Sequence, residues 1–176
     1  QVEANVGGTR RALACAKAMA AGCFHHVSSI AAAGLYKGTF TEDMFEEATG
    51  LDNPYYRTKH DAEALVRRET GIRWRIYRPG VVVGHSATGE MDKVDGPYYF
   101  FPAIRQVSSA LPGWLRAIGV RGGSINIVPV DFVVDAMDYL MHLRGHDGET
   151  FFLTDPEGIS TGDLIRVLLQ VSRGPK

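Results

Sequence analysis

Tyr55 and Lys59 stand one helical turn apart in the stretch Asn53-Pro54-Tyr55-Tyr56-Arg57-Thr58-Lys59. Asn53 is a good N-cap and Pro54 has no N–H to lose, so the stretch predicts a helix that begins at Pro54. Residues i and i+4 share a helix face, which lets the phenol and the ammonium converge. A phenol titrates near pH ~10 and is a poor proton shuttle at neutral pH. An ammonium at about 4 Å favours a phenolate by about 4 kcal/mol at an effective dielectric near ~20, enough to lower such a pKa by up to about three units. The pair therefore suits acid–base chemistry on a carbonyl or hydroxyl. A surface tyrosine beside a solvated lysine is the plain alternative, and the spacing alone is common.

The elements that must position this pair alternate between helix and strand, which predicts an α/β fold with a parallel sheet and crossover helices. The pattern predicts one Ala-rich helix from Glu3 to Ala21, a strand over Cys23–Ser28 and the Tyr55 helix from Pro54 to about Glu69. It continues with a strand over Arg73–Tyr77, a turn at Arg78-Pro79-Gly80 and the segment Val81–Gly84. The region 85–123 breaks the rhythm with Gly, Pro and aromatics, and one helix is expected from Pro97. Strands follow at Ile125–Val128 and Thr150–Leu153, with a helix over Val130–Leu143 between them; a last helix, N-capped by Ser160 with Asp163 three residues on, runs through Val171.

Further chemistry sits at the turns. Ser28 and Ser29 end the first strand, where α/β sheets bind ligands, so both hydroxyls are expected to face the crevice; satisfying backbone groups of a turn is their alternative role. Pro79, Gly80 and Val81 are either a simple strand exit or a loop closing over a flat ligand ring, which Gly80 would let approach closely. Tyr98 and Tyr99 open an aromatic run that is either a half-buried helix start or an apolar substrate wall. His25 and His26 point to opposite faces of a strand and cannot chelate together, so no metal site is expected. Glu42, Asp43, Glu46 and Glu47 read as a solvated acidic face. A Ser/His/acid hydrolase lacks its Gly-x-Ser-x-Gly elbow here.

Composition sets the bounds. The 176 residues suffice for one domain with a real core, and a net charge of −1 recommends neither nucleic acid nor an anionic membrane as partner. Cys15 and Cys23 lack metal or disulfide spacing, suit a reducing cytoplasm and are expected to fill core space. Arg10-Arg11 followed by an Ala-rich run imitates a signal peptide, but Lys17 interrupts it. No run approaches the roughly 18 apolar residues of a membrane span, so a soluble cytoplasmic chain is expected. Residue 1 is Gln and the first segment is already helical, so the chain reads as an internal piece of a longer protein.

Taken in order, these features resemble the extended short-chain dehydrogenase/reductase family. Val27-Ser28-Ser29 followed by Gly34 is similar to its strand-end motif, with the active-site hydroxyl at Ser29. Asn53-Pro54-Tyr55 with Thr58-Lys59 follows at the expected interval and matches Pro-Tyr-x-x-(Ser/Thr)-Lys. Arg78-Pro79 to Gly84 resembles the loop that touches nicotinamide. Asn5-Val6-x-Gly8-Thr9 resembles the helix whose Asn completes the catalytic set, and Val128-Pro129-Val130-Asp131 the return to the sheet. The family's Gly-rich phosphate loop would precede Gln1. Arg78-Pro79, Thr88-Gly89, Asp95-Gly96-Pro97-Tyr98-Tyr99 and Asn126 to Asp131 resemble the acyl-thioester reductase branch, whereas sugar-nucleotide enzymes carry Arg and Tyr where Ile125 and Ala33 stand.

The resemblance implies the C-terminal part of a doubly wound Rossmann-type parallel sheet with a small substrate-binding subdomain. Residues 1–84 would form the catalytic part, 85–124 a substrate-binding insertion, 125–149 the return to the sheet and 150–176 a substrate-subdomain strand and helix. It implies Tyr55, Lys59, Ser29 and Asn5 as the catalytic set. Tyr55, Lys59, Pro79, Gly80 and Val81 would contact the cofactor, NADP(H) ahead of NAD(H), and Ser29, Tyr98 and Tyr99 the substrate. The expected activity is reduction of an acyl thioester, on CoA or an acyl carrier protein; family members often pair through the helices carrying Asn5 and Tyr55, which leaves either a monomer or a homodimer open. A sugar-nucleotide epimerase or dehydratase using NAD, and a non-catalytic dinucleotide-binding protein, are the alternatives.

Overall fold

The computed structural model describes residues 2–91 and 123–171. Tyr98, Tyr99 and the helix expected from Pro97 lie outside them. Two compact units are formed, one from Gln1–Gly80 with Asp131–Thr154, the other from Val81–Val130 with Asp155–Lys176.

In the first unit a π-turn (Glu3–Gly7) leads into α1 (Gly8–Ala18), followed by β1 (Phe24–Val27), a 3-10 turn (Ile30–Ala33) and α2 (Pro54–Arg67). Then come β2 (Trp74–Pro79) and, after the second unit's contribution, α3 (Val130–His142) and β6 (Glu149–Leu153). The sheet is parallel in the order β1-β2-β6, with Phe24 opposite Trp74 and Tyr77 opposite Phe151. Parallel strands need long crossovers, which α2 supplies between β1 and β2. The start of α2 is as expected: Asn53 Oδ1 accepts from the Tyr55 N–H at 2.8 Å and Pro54 occupies the first turn. Leu13 of α1, Val66 of α2 and Ile76 of β2 form a buried cluster, with Phe24, Leu65, Ile72 and Trp74 packed around it. Burying each such large side chain stabilises the fold by roughly 1.5–3 kcal/mol. Arg75 reaches from β2 to the end of α3, where it donates to the carbonyls of Leu140 and Leu143 and pairs with Asp147 at 3.2 Å, filling the role of a C-cap.

The first helix departs from the continuous run expected over Glu3–Ala21. Asn5 interrupts it, and the Gly7-Gly8 pair lets the backbone widen into a π-turn whose carbonyl at Asn5 accepts from Gly8 N–H and from Thr9 Oγ1 at 2.8 Å. The helix stops at Ala18, well before Gly22, because Ala20 takes the left-handed conformation at φ 52°. Ala20 N–H donates to Lys17 O and Ala21 N–H to Ala16 O, so an alanine occupies the Schellman position that glycine usually fills. The cysteines also correct an expectation: Cys15 is exposed and Cys23 only half-buried, both as free thiols. Leu13 occupies the buried stripe of α1, and Cys15, two residues on, is turned away from it.

In the second unit β3 (Val81–Val83) pairs in parallel with β5 (Ile127–Pro129), and β4 (Ser124–Ile125) pairs antiparallel with β7 (Ile159–Ser160), which leads into α4 (Thr161–Val171). The single strand expected over Ile125–Val128 is therefore two. Asn126 separates them by bonding the backbone of Asp155 with its side chain, at 2.6 Å and 3.0 Å. The start of α4 is capped as expected, Ser160 Oγ accepting from Asp163 N–H at 3.0 Å and donating to its carboxylate at 2.6 Å.

Candidate active site

The site is built on the carboxyl ends of β1 and β2 and on the first turns of α2. Tyr55 lies in the first turn of α2 with 41% of its surface exposed. Lys59 follows one turn later and is half-buried; desolvation pushes its pKa below the ordinary lysine value. Its ammonium makes no ion pair or hydrogen bond among the described residues. It lines an open pocket of about 280 Å³ together with Asn5, Thr9, Phe24 and His26. Asn5 and Lys59 are thus brought to one cavity, and the π-turn is anchored there: Asn5 Nδ2 donates to Thr58 Oγ1 at 3.0 Å, and Thr58 Oγ1 donates to Tyr55 O at 3.2 Å. Thr58 is fully buried, so this chain of bonds ties the Asn5 turn to the helical turn between Tyr55 and Lys59.

Ser29 and Ser28 have separate fates. Ser29 opens the 3-10 turn, which packs against α2, and its Oγ accepts from Ala31 N–H at 3.1 Å. That bond uses one lone pair and leaves the hydroxyl's own hydrogen for another acceptor. Ser28 corrects the expectation that both hydroxyls face a crevice, since it is buried and donates to Glu63 Oε2 at 2.7 Å. Successive strand residues point to opposite faces, and Ser28 takes the face covered by α2. Gly34 then forms a bridge to Thr49 at φ +64°, where a Cβ would run into the Thr49 carbonyl. Pro79 ends β2, Gly80 N–H donates to Leu153 O at 3.0 Å, and Val81 begins β3.

Sequence reading missed Glu63 altogether. Its carboxylate is fully buried and accepts four hydrogen bonds, from Ser28 Oγ, Arg67 Nε at 2.8 Å, Arg78 Nη2 at 2.7 Å and Arg78 Nε at 3.2 Å. Burial alone would push its pKa up, but Arg78 above all, with Ser28 and Arg67, outweighs that and holds it below the ordinary glutamate value. A usable signal existed: Glu63 follows Lys59 by four residues and Tyr55 by eight, on the same helix face. His26 has a second property besides its position opposite His25 on β1. Its Nε2 is buried without a hydrogen-bond partner among the described residues, and desolvation, opposed by Glu63 and reinforced by Lys59, lowers its pKa to about 4. No group of three metal-ligating side chains exists among the described residues. No helix among them is long and apolar enough to cross a membrane.

Known proteins share much of this chain. The model of an NAD-binding family described as "Male sterility protein" matches residues 1–137. A linear gramicidin synthase of Brevibacillus parabrevis is 28% identical over 173 residues, covering 94% of this chain and 3% of that protein. L-2-aminoadipate reductase of Saccharomyces cerevisiae is 36% identical over 95 residues, 53% of this chain and 6% of its own length. Among solved structures, the terminal R domain from the myxalamid PKS-NRPS biosynthetic pathway matches with a TM-score of 0.74 at 27% identity, over 93% of this chain and 41% of that one. The chain therefore spans less than half the length of each of these relatives.

Proposed function

We propose, starting from the fact that the chain belongs to the NAD-binding family described as male sterility protein and of the extended short-chain dehydrogenase/reductase type, that it is the catalytic part of an NADPH-dependent acyl-thioester reductase. One observation carries the reading. A half-buried ammonium without an ionic partner among the described residues, Lys59, shares a cavity with Asn5 one turn beyond Tyr55. An unpaired buried charge is costly unless a ligand completes it, and the vicinal hydroxyls of a nicotinamide ribose fit that need. The relatives support the substrate class, since one is named a reductase and another a terminal R domain.

When bound, the nicotinamide supplies the hydride. Tyr55 donates a hydrogen bond or proton to the carbonyl oxygen as negative charge develops on it. Ser29 is the second donor, with the hydrogen that its cap interaction leaves available. Lys59 holds the ribose and places positive charge beside the phenol. Asn5, through Thr58, fixes the π-turn behind Lys59. Pro79, Gly80 and Val81 would border the nicotinamide ring. The thioester is carried on CoA or an acyl carrier protein, and NADP(H) is preferred over NAD(H). The protein pairs into a homodimer through the helices that carry Asn5 and Tyr55, and it resides in the cytoplasm, in keeping with two free thiols.

The test uses the full-length protein with NADPH and a series of acyl thioesters. Net NADPH oxidation with release of the thiol is expected, and Tyr55→Phe should lower turnover by about 10²–10⁴-fold with NADPH affinity retained. Sugar-nucleotide interconversion without net NADPH consumption, cofactor binding without turnover, or an active Tyr55→Phe variant would each overturn the assignment.

A further inference from the structure

We propose that the Glu63 carboxylate is a positioning group for the catalytic set, acting at a distance through three chain elements. The proposal rests on the reductase reading above and adds to it a residue outside the Tyr-Lys-Ser-Asn group. Each element that Glu63 bonds or belongs to carries a site residue next to the contact. Ser28, bonded at 2.7 Å, precedes Ser29. Glu63 itself sits one turn beyond Lys59 on α2. Arg78, bonded at 2.7 Å and 3.2 Å, precedes Pro79 at the end of β2. One carboxylate thus sets the spacing between the strand end of Ser29, the helix of Tyr55 and Lys59, and the strand end that leads to Gly80.

Its partners are themselves fixed. The Arg78 guanidinium lies between the rings of Phe40 and Phe152, at 5.2 Å and 5.3 Å, and donates to Met44 O at 2.9 Å. Arg67 lies over the Phe45 ring at 4.7 Å and donates to Thr150 Oγ1 at 2.7 Å. Stability alone is a weak reason for such an arrangement, because a buried ion pair replaced by apolar side chains of similar volume is often neutral or stabilising. Directional bonds do something apolar contact cannot: they define a distance and an angle. The groups they define here are those whose misplacement by about 1 Å costs about 10²-fold in rate.

The deciding variant is the full-length double substitution Glu63→Leu with Arg78→Met, which removes the fully buried ion pair as a unit and leaves the half-buried Arg67 with its bond to Thr150. It is expected to stay folded, at a lower unfolding midpoint because Ser28 and Arg67 lose a partner, and to keep its NADPH affinity while kcat for thioester reduction falls by about 10²-fold. A crystal structure of the same variant with NADPH should show Ser29 displaced relative to Lys59 by about 1 Å. A stable double variant with wild-type kcat, or with Ser29 and Lys59 unmoved, overturns the proposal. Where the double variant does not fold, Ser28→Ala leaves the Glu63–Arg78 pair intact. It should lower kcat about tenfold at unchanged KM for NADPH, with Ser28→Thr recovering most of the loss; an unaltered kcat in Ser28→Ala is equally fatal. Wild-type protein that oxidises no NADPH with any thioester defeats the reductase reading alone, and the crystal structure still decides the positioning claim.

Discussion

The same three elements are held together in two different ways along their length. Toward the amino ends of the strands, Phe24 and Ile76 meet Val66 through apolar contact, with Leu13 of α1 joining them. Toward the carboxyl ends, Ser28 and Arg78 meet Glu63 through hydrogen bonds and charge. Apolar packing is non-directional and tolerates small shifts, whereas a saturated carboxylate does not. The stiff fastening lies at the end that carries Ser29, Tyr55 and Lys59, and the forgiving one lies away from it.

Breaking the polar end should have the largest effect on stability. Arg78→Met alone leaves the Glu63 carboxylate buried and without its main partner, which should cost about 3–5 kcal/mol in chemical denaturation. The matching break at the apolar end, Ile76→Ala, should cost about 2–5 kcal/mol by creating a cavity. The sharper contrast is in the folded fraction, where Ile76→Ala should keep its kcat and the Ser28 and Glu63 variants should not.

Acid should separate the two ends further. His26 has a folded pKa of about 4 against an ordinary 6.5, so the native state takes up its proton only at lower pH than the unfolded chain does. Stability should be undiminished above about pH 6.5 and fall as the pH drops toward 4, by about 3 kcal/mol. Glu63 acts in a lower window: its depressed pKa gives stability that is present above the ordinary carboxylate range and lost as pH falls through its folded value. Denaturation profiles of His26→Leu should lose the upper window and keep the lower one. The smallest effect belongs to a site in neither region. Ala20→Gly relieves the left-handed alanine that ends α1 and should stabilise the protein by about 0.5–1 kcal/mol, with no change in activity.

Much of the scaffold was legible because its signals are short-range. Asn53 and Pro54 announced the start of α2, and Ser160 with Asp163 that of α4, since a cap is made by residues two or three apart. That Tyr55 and Lys59 open one helix was legible for the same reason, and so was the place of Ser29 after a strand end. Ser28 was misread because a strand's alternation says only that neighbours point to opposite faces, while a helix from elsewhere in the chain settles which face is covered. The interruption at Asn5 was also missed. An Ala-rich stretch has helical propensity throughout, and only contact with Thr58 on another helix rewards the wider turn.

Spacing along the chain was enough to establish which side chains could share a helical face, where helices begin and that strands alternate with crossovers, because each depends on backbone geometry over a few residues. Partnership across elements was decided by the folded arrangement. Glu63 became a saturated carboxylate, Arg78 its counter-charge and Lys59 an ammonium unpaired among the described residues, beside Asn5, only once three strands and two helices had come together. Nothing local distinguishes a buried charge from a solvated one, since the desolvation that defines it comes entirely from residues distant in sequence.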